Sequence, residues 1–477
     1  MLDKLSQKGV RLSLDAETLL MSSDGRDAAV EKLLLLDKPF FSKEDVEKAL
    51  LDAKRVEIIR PRAFRAEARE HSADVQVIHS RDVTGKSRTR GDVGNFVNYF
   101  RNRYERLSRM LKQKSSNATH CDLADLKRQL NQKVRMIVLV SDKRETKKGN
   151  LLLEVEDLTG TFKVVVSKSG RDEKAAEQAK GIMLDDVVAI TGKVLEAFMI
   201  AEDIEWPETP ILREPKLTEE DLAIAYLSDL HFGSRYFLEK HLDSFSDWLH
   251  GRGKATELAG KVKYILIAGD VVDGIGIYPR QENELIVKDI YSQYGMFDDF
   301  IEGLPDDVEV IVSPGNHDAV RRGEPMPAIS EELIKSNVVR VGSPSMVKLH
   351  GIKHLVYHGT SIDSMIANLP NASYMHPEKV MMEYLKRRHL SPLYGGNLII
   401  PEDLDYLVID DVPDILHCGH VHKNGYTKYR GTLIINSGTF QDRTDFQVKQ
   451  GHVPTPALVP VYETKYGRLK TLDFKSN

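Results

Sequence analysis

The rhythm of apolar and polar residues changes several times along the chain, and each change predicts a different element. Up to about residue 58 the period is helical. Leu33, Leu34, Leu35 and Leu36 close one amphipathic segment, and Ser42 with Asp45 reads as a capping box opening the next, which carries Val46, Ala49 and Leu50. A small helical module over 1–58, of the kind that docks a partner protein, is the expectation. Over 59–95 the periodicity fades while Arg60, Arg62, Arg65, Arg69, Arg81, Lys86, Arg88 and Arg90 accumulate, which predicts a flexible basic linker. Helical spacing returns over 96–132, where Phe96, Val97, Phe100, Tyr104, Leu107 and Leu111 form an apolar stripe. Arg101, Arg103, Arg106 and Arg109 lie among them as a basic face.

From 133 to 210 the pattern is that of strands. Arg135 to Val140, Leu151 to Glu156 and Phe162 to Val166 are short apolar runs, the last two joined as a hairpin by the turn Asp157 to Gly160. A polar helical insert, Glu173 to Lys180, precedes a further run from Asp186 to Val194. Short strands with glycine at the bends and one inserted helix predict a small closed barrel. The turn Glu156 to Gly160 resembles that of the OB-fold, which either binds single strands or joins subunits.

Residues 211–477 repeat one grammar five times: an apolar strand, then polar groups at its end. Ala223 to Leu227 leads to Asp229 and His231, whose spacing of two would put both on one side of an extended chain. Tyr264 to Ala268 leads to Gly269, which lets the backbone come close, and to Asp270, with two oxygens that could bridge two cations. After Val308 to Val312, Pro314 and Gly315 stop the strand and present Asn316, His317 and Asp318. His354 to Tyr357 leads to His358, and Asp414 to Cys418 leads to His420 and His422. Asparagine offers a neutral oxygen ligand; histidine offers a nitrogen ligand or a proton that moves near neutrality. A single histidine after a strand is ordinarily a satisfied polar residue. Burying this many Asp and His groups without a cation would be costly, so the set predicts a metal site. Oxygen and imidazole donors without thiolate suit Mn²⁺, with Zn²⁺, Fe²⁺ or Mg²⁺ as alternatives. Cys418 reads as a packing residue, and His417 as a strand-end core residue.

Composition narrows this picture. Over 477 residues, 41% hydrophobic and 29% charged residues describe a globular chain of several domains. The net charge of −5 argues against coating nucleic acid by bulk charge, while leaving room for a local basic groove. Two cysteines, Cys121 and Cys418, make neither a disulfide framework nor a thiolate zinc site, and fit a reducing compartment. No apolar run approaches the roughly 20 residues that span a bilayer, so no membrane partner is expected.

Asp-x-His, Gly-Asp, Gly-Asn-His-Asp, a lone His and Gly-His-x-His, in that order, resemble the calcineurin-like metallophosphoesterase superfamily. The resemblance implies a multi-domain α/β chain whose last domain is a two-sheet αββα sandwich holding two metals. Carried over by position, Asp229, His231, Asp270 and His422 would surround one cation. Asp270, Asn316, His358 and His420 would surround the other, and His317 would face the phosphate as the catalytic residue. Phosphoprotein phosphatases of the superfamily continue the second motif with Asp-Arg-Gly and end the third in Glu. Here Val271, Val272, Asp273 and Gly274 follow, and the third motif ends in Asp318, which leans toward nucleases.

Tyr357 to Asp363, Asn436 to Phe446 and His452 to Pro456, with the barrel upstream, resemble the small-subunit family of the archaeal D-family DNA polymerases. That resemblance implies a proofreading 3′-to-5′ exonuclease acting on a single-stranded or mismatched 3′ end of DNA, bound to a large polymerising subunit. It brings the sliding clamp and primase as further candidate partners, and a cytoplasmic, nucleoid-associated setting. Two other readings use the same residues: a stand-alone repair nuclease resembling the Mre family, and a non-catalytic scaffold subunit. Lys423, Arg430 and Arg443 follow the ligand-bearing loops as candidates for phosphate contact.

Overall fold

Three largely apolar strands, Ala223–Leu227, Val262–Ala268 and Glu309–Ser313, lie parallel in the middle of a six-stranded sheet. Near-continuous apolarity is what a strand covered on both faces requires. Along Ala223–Leu227 the residues divide by parity. Ala223, Ala225 and Leu227 pack with Phe245, Trp248 and Phe297 of two helices, Glu239–Leu249 and Ile290–Glu302. Ile224 and Tyr226 pack instead with Val347, Leu349 and Ile435 of a second sheet.

That second sheet, also six-stranded among the described residues, carries Ile352–Val356, Ile415–Cys418 and Thr432–Ser437 in parallel. Its outer face is closed by Met365, Met381 and Tyr384 of the helices Ile362–Asn368 and Pro377–Arg387. The layers run helix, sheet, sheet, helix, which is the expected sandwich. The computed structural model describes residues 5, 10–23, 26–34, 36, 38–54, 64–168, 173–211, 213–450 and 452–475.

Upstream, the strand Lys133–Glu145 is long enough to serve two neighbours. Lys133 to Leu139 pairs with Val187–Val194, and Leu139 to Glu145 with Leu151–Asp157, which closes the barrel. The hairpin turn is set by Asp157, whose Oδ1 accepts the amides of Thr159 at 2.7 Å and Gly160 at 3.0 Å. The expected OB-fold is therefore present, with the helix Glu173–Ala179 inserted.

The stretch expected as a flexible linker differs. From Arg65 on it is fixed to the sandwich, while residues 59–63 lie outside the described residues. Val75–Val77 adds an antiparallel edge strand to the second sheet, and the Gly342 amide donates to Asp82 at 2.7 Å. Arg69 pairs with Asp307 at 2.9 Å, and Arg81 pairs with Asp410. Those two arginines are paired with acidic residues of the sandwich, and a three-residue strand carries no periodic signal by which to find it.

The basic face of the next helix, Val93–Lys112, is likewise partly internal. Arg103 and Arg106 are buried: Arg103 Nε donates to Asp405 at 2.7 Å, and Tyr99 Oη donates to the other carboxylate oxygen at 2.8 Å. On its far side Tyr104 Oη donates to the Ile137 carbonyl at 2.7 Å, so the helix joins barrel to sandwich.

Residues 1–64 form a separate compact unit. Its described helices, Leu14–Ser22, Arg26–Leu34 and Lys43–Lys54, share a core of Leu20, Val30, Leu33, Phe41, Val46 and Leu50. Ser42 and Asp45 exchange bonds as a capping box does: the Ser42 amide to Asp45 at 2.9 Å, the Asp45 amide to Ser42 Oγ at 3.4 Å. Leu35 lies outside the described residues.

Candidate metal centre

Each parallel strand of both sheets ends at one edge of the sandwich, and the chain turns there. Six of the eight expected side chains, His231, Asp270, Asn316, His317, His420 and His422, line one cleft of about 250 Å³. Asp229 and His358 are fully buried against them. Among the described residues three groups have ligand atoms within 4.8 Å of one another: Asp229, His231 and His422; His231, Asp270 and His317; and Asp270, His358 and His420. The structure thus brings together the eight side chains that the resemblance assigns to the cations and the phosphate.

It does so with a backbone the sequence did not suggest. Asp229, His231, Asp270, His420 and His422 all have positive φ, between 50° and 73°. Asp229 and His231 are therefore not on an extended chain, and their convergence comes from two left-handed turns past the end of Ala223–Leu227. Each such residue costs of order 1–3 kcal/mol, which surrounding bonds must offset. Asp229 is held by the His420 amide on its carboxylate at 2.9 and 3.1 Å, and by Thr439 Oγ1 and the Phe440 amide on its carbonyl at 2.7 and 3.0 Å. Asp270 Oδ1 accepts the His317 amide at 2.8 Å. Close approach also explains Gly315, where a Cβ would lie 2.2 Å from Asp270 Oδ1.

The donor set can be tested for its fit to cations. His358 spends Nδ1–H on the Ala268 carbonyl at 2.8 Å. In the neutral ring Nε2 is then a lone pair, and it points at Asp270 Oδ2 and Asn316 Oδ1, each 3.1 Å away. Acceptors that face one another need a positive charge between them. Around Asp229 the Nε2 atoms of His231 and His422 stand 3.0 Å apart and His422 Nε2 is 3.4 Å from Asp229 Oδ1; the Gln447 amide nitrogen donates to His422 Nδ1 at 2.8 Å, which leaves the ring's proton on Nε2. Without metal that charge is supplied by protons. Burial would lower His358, but the Asp270 carboxylate beside it raises it to about 10. Burial would raise Asp270, but His358, charged and hydrogen-bonded to it, holds it well below the usual carboxylate range. Divalent cations would displace those protons. The residues present fit a pair of such cations sharing Asp270.

Several partners of this site were not legible in the sequence. Asp273 Oδ1 lies 3.1 Å from His231 Nδ1, and its carbonyl accepts His317 Nδ1–H at 2.8 Å. The Gln447 amide meets His422 Nδ1 at 2.8 Å, and Asp363 meets His420 Nε2 at 3.0 Å. Asp318 is not aimed at the cleft; its carboxylate collects the amides of Gly315, Val271 and Val272, at 2.8, 3.2 and 3.3 Å, and shapes the loop. Asp273 stands three residues after Asp270, a spacing that could have drawn notice; Asp363 and Gln447 come from other segments with no pattern of their own. Arg430 is not at the cleft: it pairs with Glu208 at 3.0 Å and donates to the Thr209 carbonyl at 2.7 Å. Lys423 donates to the Val453 carbonyl at 3.2 Å. Cys418 and His417 are buried, His417 Nε2 lying 3.0 Å from Ser437 Oγ.

Comparison with known proteins agrees with the fold. Residues 222–424 match the calcineurin-like phosphoesterase family, and residues 134–203 match the OB-fold nucleic acid binding domain family. A protein of Archaeoglobus fulgidus named DNA polymerase II small subunit is 43% identical over 80% of this chain and 78% of its own length. Proteins of the same name are 40% identical in Methanocaldococcus jannaschii, over 83% of this chain and 68% of theirs, and 39% identical in Methanothermobacter thermautotrophicus, over 85% and 84%. Among the described residues no helix is long and apolar enough to cross a membrane.

Proposed function

Because the chain belongs to the family of DNA polymerase II small subunits, we propose that it is the proofreading 3′-to-5′ exonuclease of a D-family replicative polymerase, working with a large polymerising subunit at the nucleoid. The observation that carries this reading is the convergence of two sets of His and carboxylate side chains on Asp270 in one open cleft.

Asp229, His231, Asp270 and His422 would hold one divalent cation, and Asp270, Asn316, His358 and His420 the other. Manganese is the first choice for such hard and borderline donors. When bound, the pair supplies Lewis acidity toward the phosphodiester and a nucleophile at neutral pH.

The chain's own contribution beyond ligation is His317. With Nδ1–H held by the Asp273 carbonyl, Nε2 is the atom that meets substrate. Burial holds His317 below its ordinary pKa, against the pull of Asp270, so the ring is neutral at rest. Nε2 can then take a proton released during attack on phosphorus and return it to the leaving 3′-oxygen. The P–O3′ bond breaks, and a nucleoside 5′-monophosphate leaves a new 3′-hydroxyl behind.

The test is digestion of end-labelled single-stranded and mismatched primer DNA with Mn²⁺, by the chain alone and with its large subunit, comparing wild type with Asp229→Ala. Stepwise shortening from the 3′ end that disappears in Asp229→Ala is expected. No metal-dependent cleavage in either preparation would leave a scaffold subunit as the better reading, and internal or 5′ cleavage would point to a repair nuclease.

A further inference from the structure

Four imidazoles turn a nitrogen toward the centre proposed above, and each is braced at its other nitrogen. His358 Nδ1–H is held by the Ala268 carbonyl at 2.8 Å, His231 Nδ1 faces the Asp273 carboxylate at 3.1 Å, and His422 Nδ1 accepts from the Gln447 amide nitrogen at 2.8 Å, and all three partners are buried. His420 is different. Its Nε2 meets Asp363 Oδ2 at 3.0 Å, and the Asp363 side chain is 51% exposed at the rim of the cleft, near the start of the helix Ile362–Asn368. The ring centre of Tyr374 lies 4.0 Å from that of His452, another residue of the cleft wall.

With Nε2–H committed to Asp363, the lone pair that His420 can offer is on Nδ1. A carboxylate in that position fixes the ring's orientation and tautomer and strengthens it as a donor; losing such a partner typically costs 10–100-fold in metal affinity. Water competes for a half-exposed hydrogen bond and not for a buried one, so the four braces are unequal.

Resting on the two-cation reading, we propose that Asp363 is a positioning residue for one cation position only, that of Asn316, His358 and His420, and that this position is the weaker and more readily vacated of the two. The position of Asp229, His231 and His422 keeps its buried braces and does not depend on Asp363.

The experiment is a titration of metal-free full-length chain with Mn²⁺ alone, reading free Mn²⁺ by electron paramagnetic resonance, for wild type, D363N and D363E. Wild type should show two binding steps of different affinity. D363N should lose about 10–100-fold in the weaker step with the tighter step unmoved, and D363E, which keeps the charge, should fall between the two. Thermal unfolding of the metal-free variants checks that the fold is intact, which a half-exposed side chain permits. Two unchanged steps in D363N would overturn the proposal, as would equal weakening of both steps. Fewer than two Mn²⁺ bound by wild type would instead remove the two-cation reading on which the proposal stands.

Discussion

At the level of single residues, the centre combines side chains chosen for their chemistry with backbone angles that ordinary residues avoid. Five of the proposed ligands in left-handed conformations are a cost the molecule carries at the site and offsets with hydrogen bonds to the strained peptides. The types of these residues were legible because each follows an apolar run; their backbone was not, since nothing in Asp-x-His distinguishes an extended chain from two left-handed turns. His317 allows the division of labour to be tested. Its backbone amide, not its ring, supports Asp270, at 2.8 Å, whereas the ring donates only to the Asp273 carbonyl. His317→Ala keeps the amide. It should therefore bind the same number of Mn²⁺ ions while losing about 10²–10⁴-fold in nuclease turnover, the usual scale of general acid–base help. Loss of bound metal in that variant, measured by elemental analysis, would show that the ring is structural.

At the level of elements, the helix Val93–Lys112 shows why a sequence pattern can be right and its meaning incomplete. The apolar stripe is there, with Tyr99, Leu107 and Leu111 buried, yet two of the arginines beside it are buried as well. Periodicity reports which residues share a face; it does not report that Asp405, some three hundred positions later, waits to receive them. Asp405 accepts from Arg103 at 2.7 Å, from Tyr99 at 2.8 Å and from His389 at 2.9 Å, all inside the protein. Asp405→Ala would strand a buried guanidinium and two further donors, and should destabilise the fold by about 3–5 kcal/mol, the cost of breaking a buried ion pair. Adding Arg103→Met should recover only part of this, because Tyr99 and His389 still lack their acceptor. Denaturant unfolding of the two variants measures both steps, and full recovery in the double variant would show that the ion pair alone mattered. The segment from 65 to 95 teaches the complementary lesson. Its arginines were visible, but the carboxylates that pair with them, Asp307 and Asp410, belong to distant loops.

Across the whole molecule, the barrel is not a tethered accessory. Asp186 of the barrel accepts Arg387 Nε of the sandwich at 2.8 Å and Trp206 Nε1 at 3.0 Å, in a buried joint that fixes the OB-fold beside the cleft domain. The barrel was readable from its strand periods and the sandwich from the motifs that carry the family resemblance; the joint was not, because it is made of single charges from far-apart segments. The same burial predicts how the protein responds to acid. His354, His389 and His417 are enclosed and hydrogen-bonded as neutral rings, and burial holds His354 and His389 near 4 and His417 near 3. In the unfolded chain each would titrate near 6.5. Between pH 6.5 and 4 the unfolded state thus binds more protons than the folded one, so stability falls as pH falls through that window, by about 3 kcal/mol for one histidine displaced by 2.5 units. His317 and His422, also held low by burial, add to this loss, while Asp318, raised to about 6, opposes it. Asp405, displaced downward, loses its contribution only below the ordinary carboxylate range, and His358, raised to about 10, keeps its full contribution everywhere below pH 6.5. His354 is the cleanest probe, since it lies between the sheets with Nδ1 on the Ile352 carbonyl at 2.9 Å and Nε2 on Tyr226 Oη at 3.0 Å, away from every proposed ligand. Urea unfolding of metal-free protein at intervals from pH 7 to pH 4 should show a stability slope that flattens by about one proton in His354→Gln; an unchanged slope would mean that this histidine is protonated in the fold and that acid acts elsewhere.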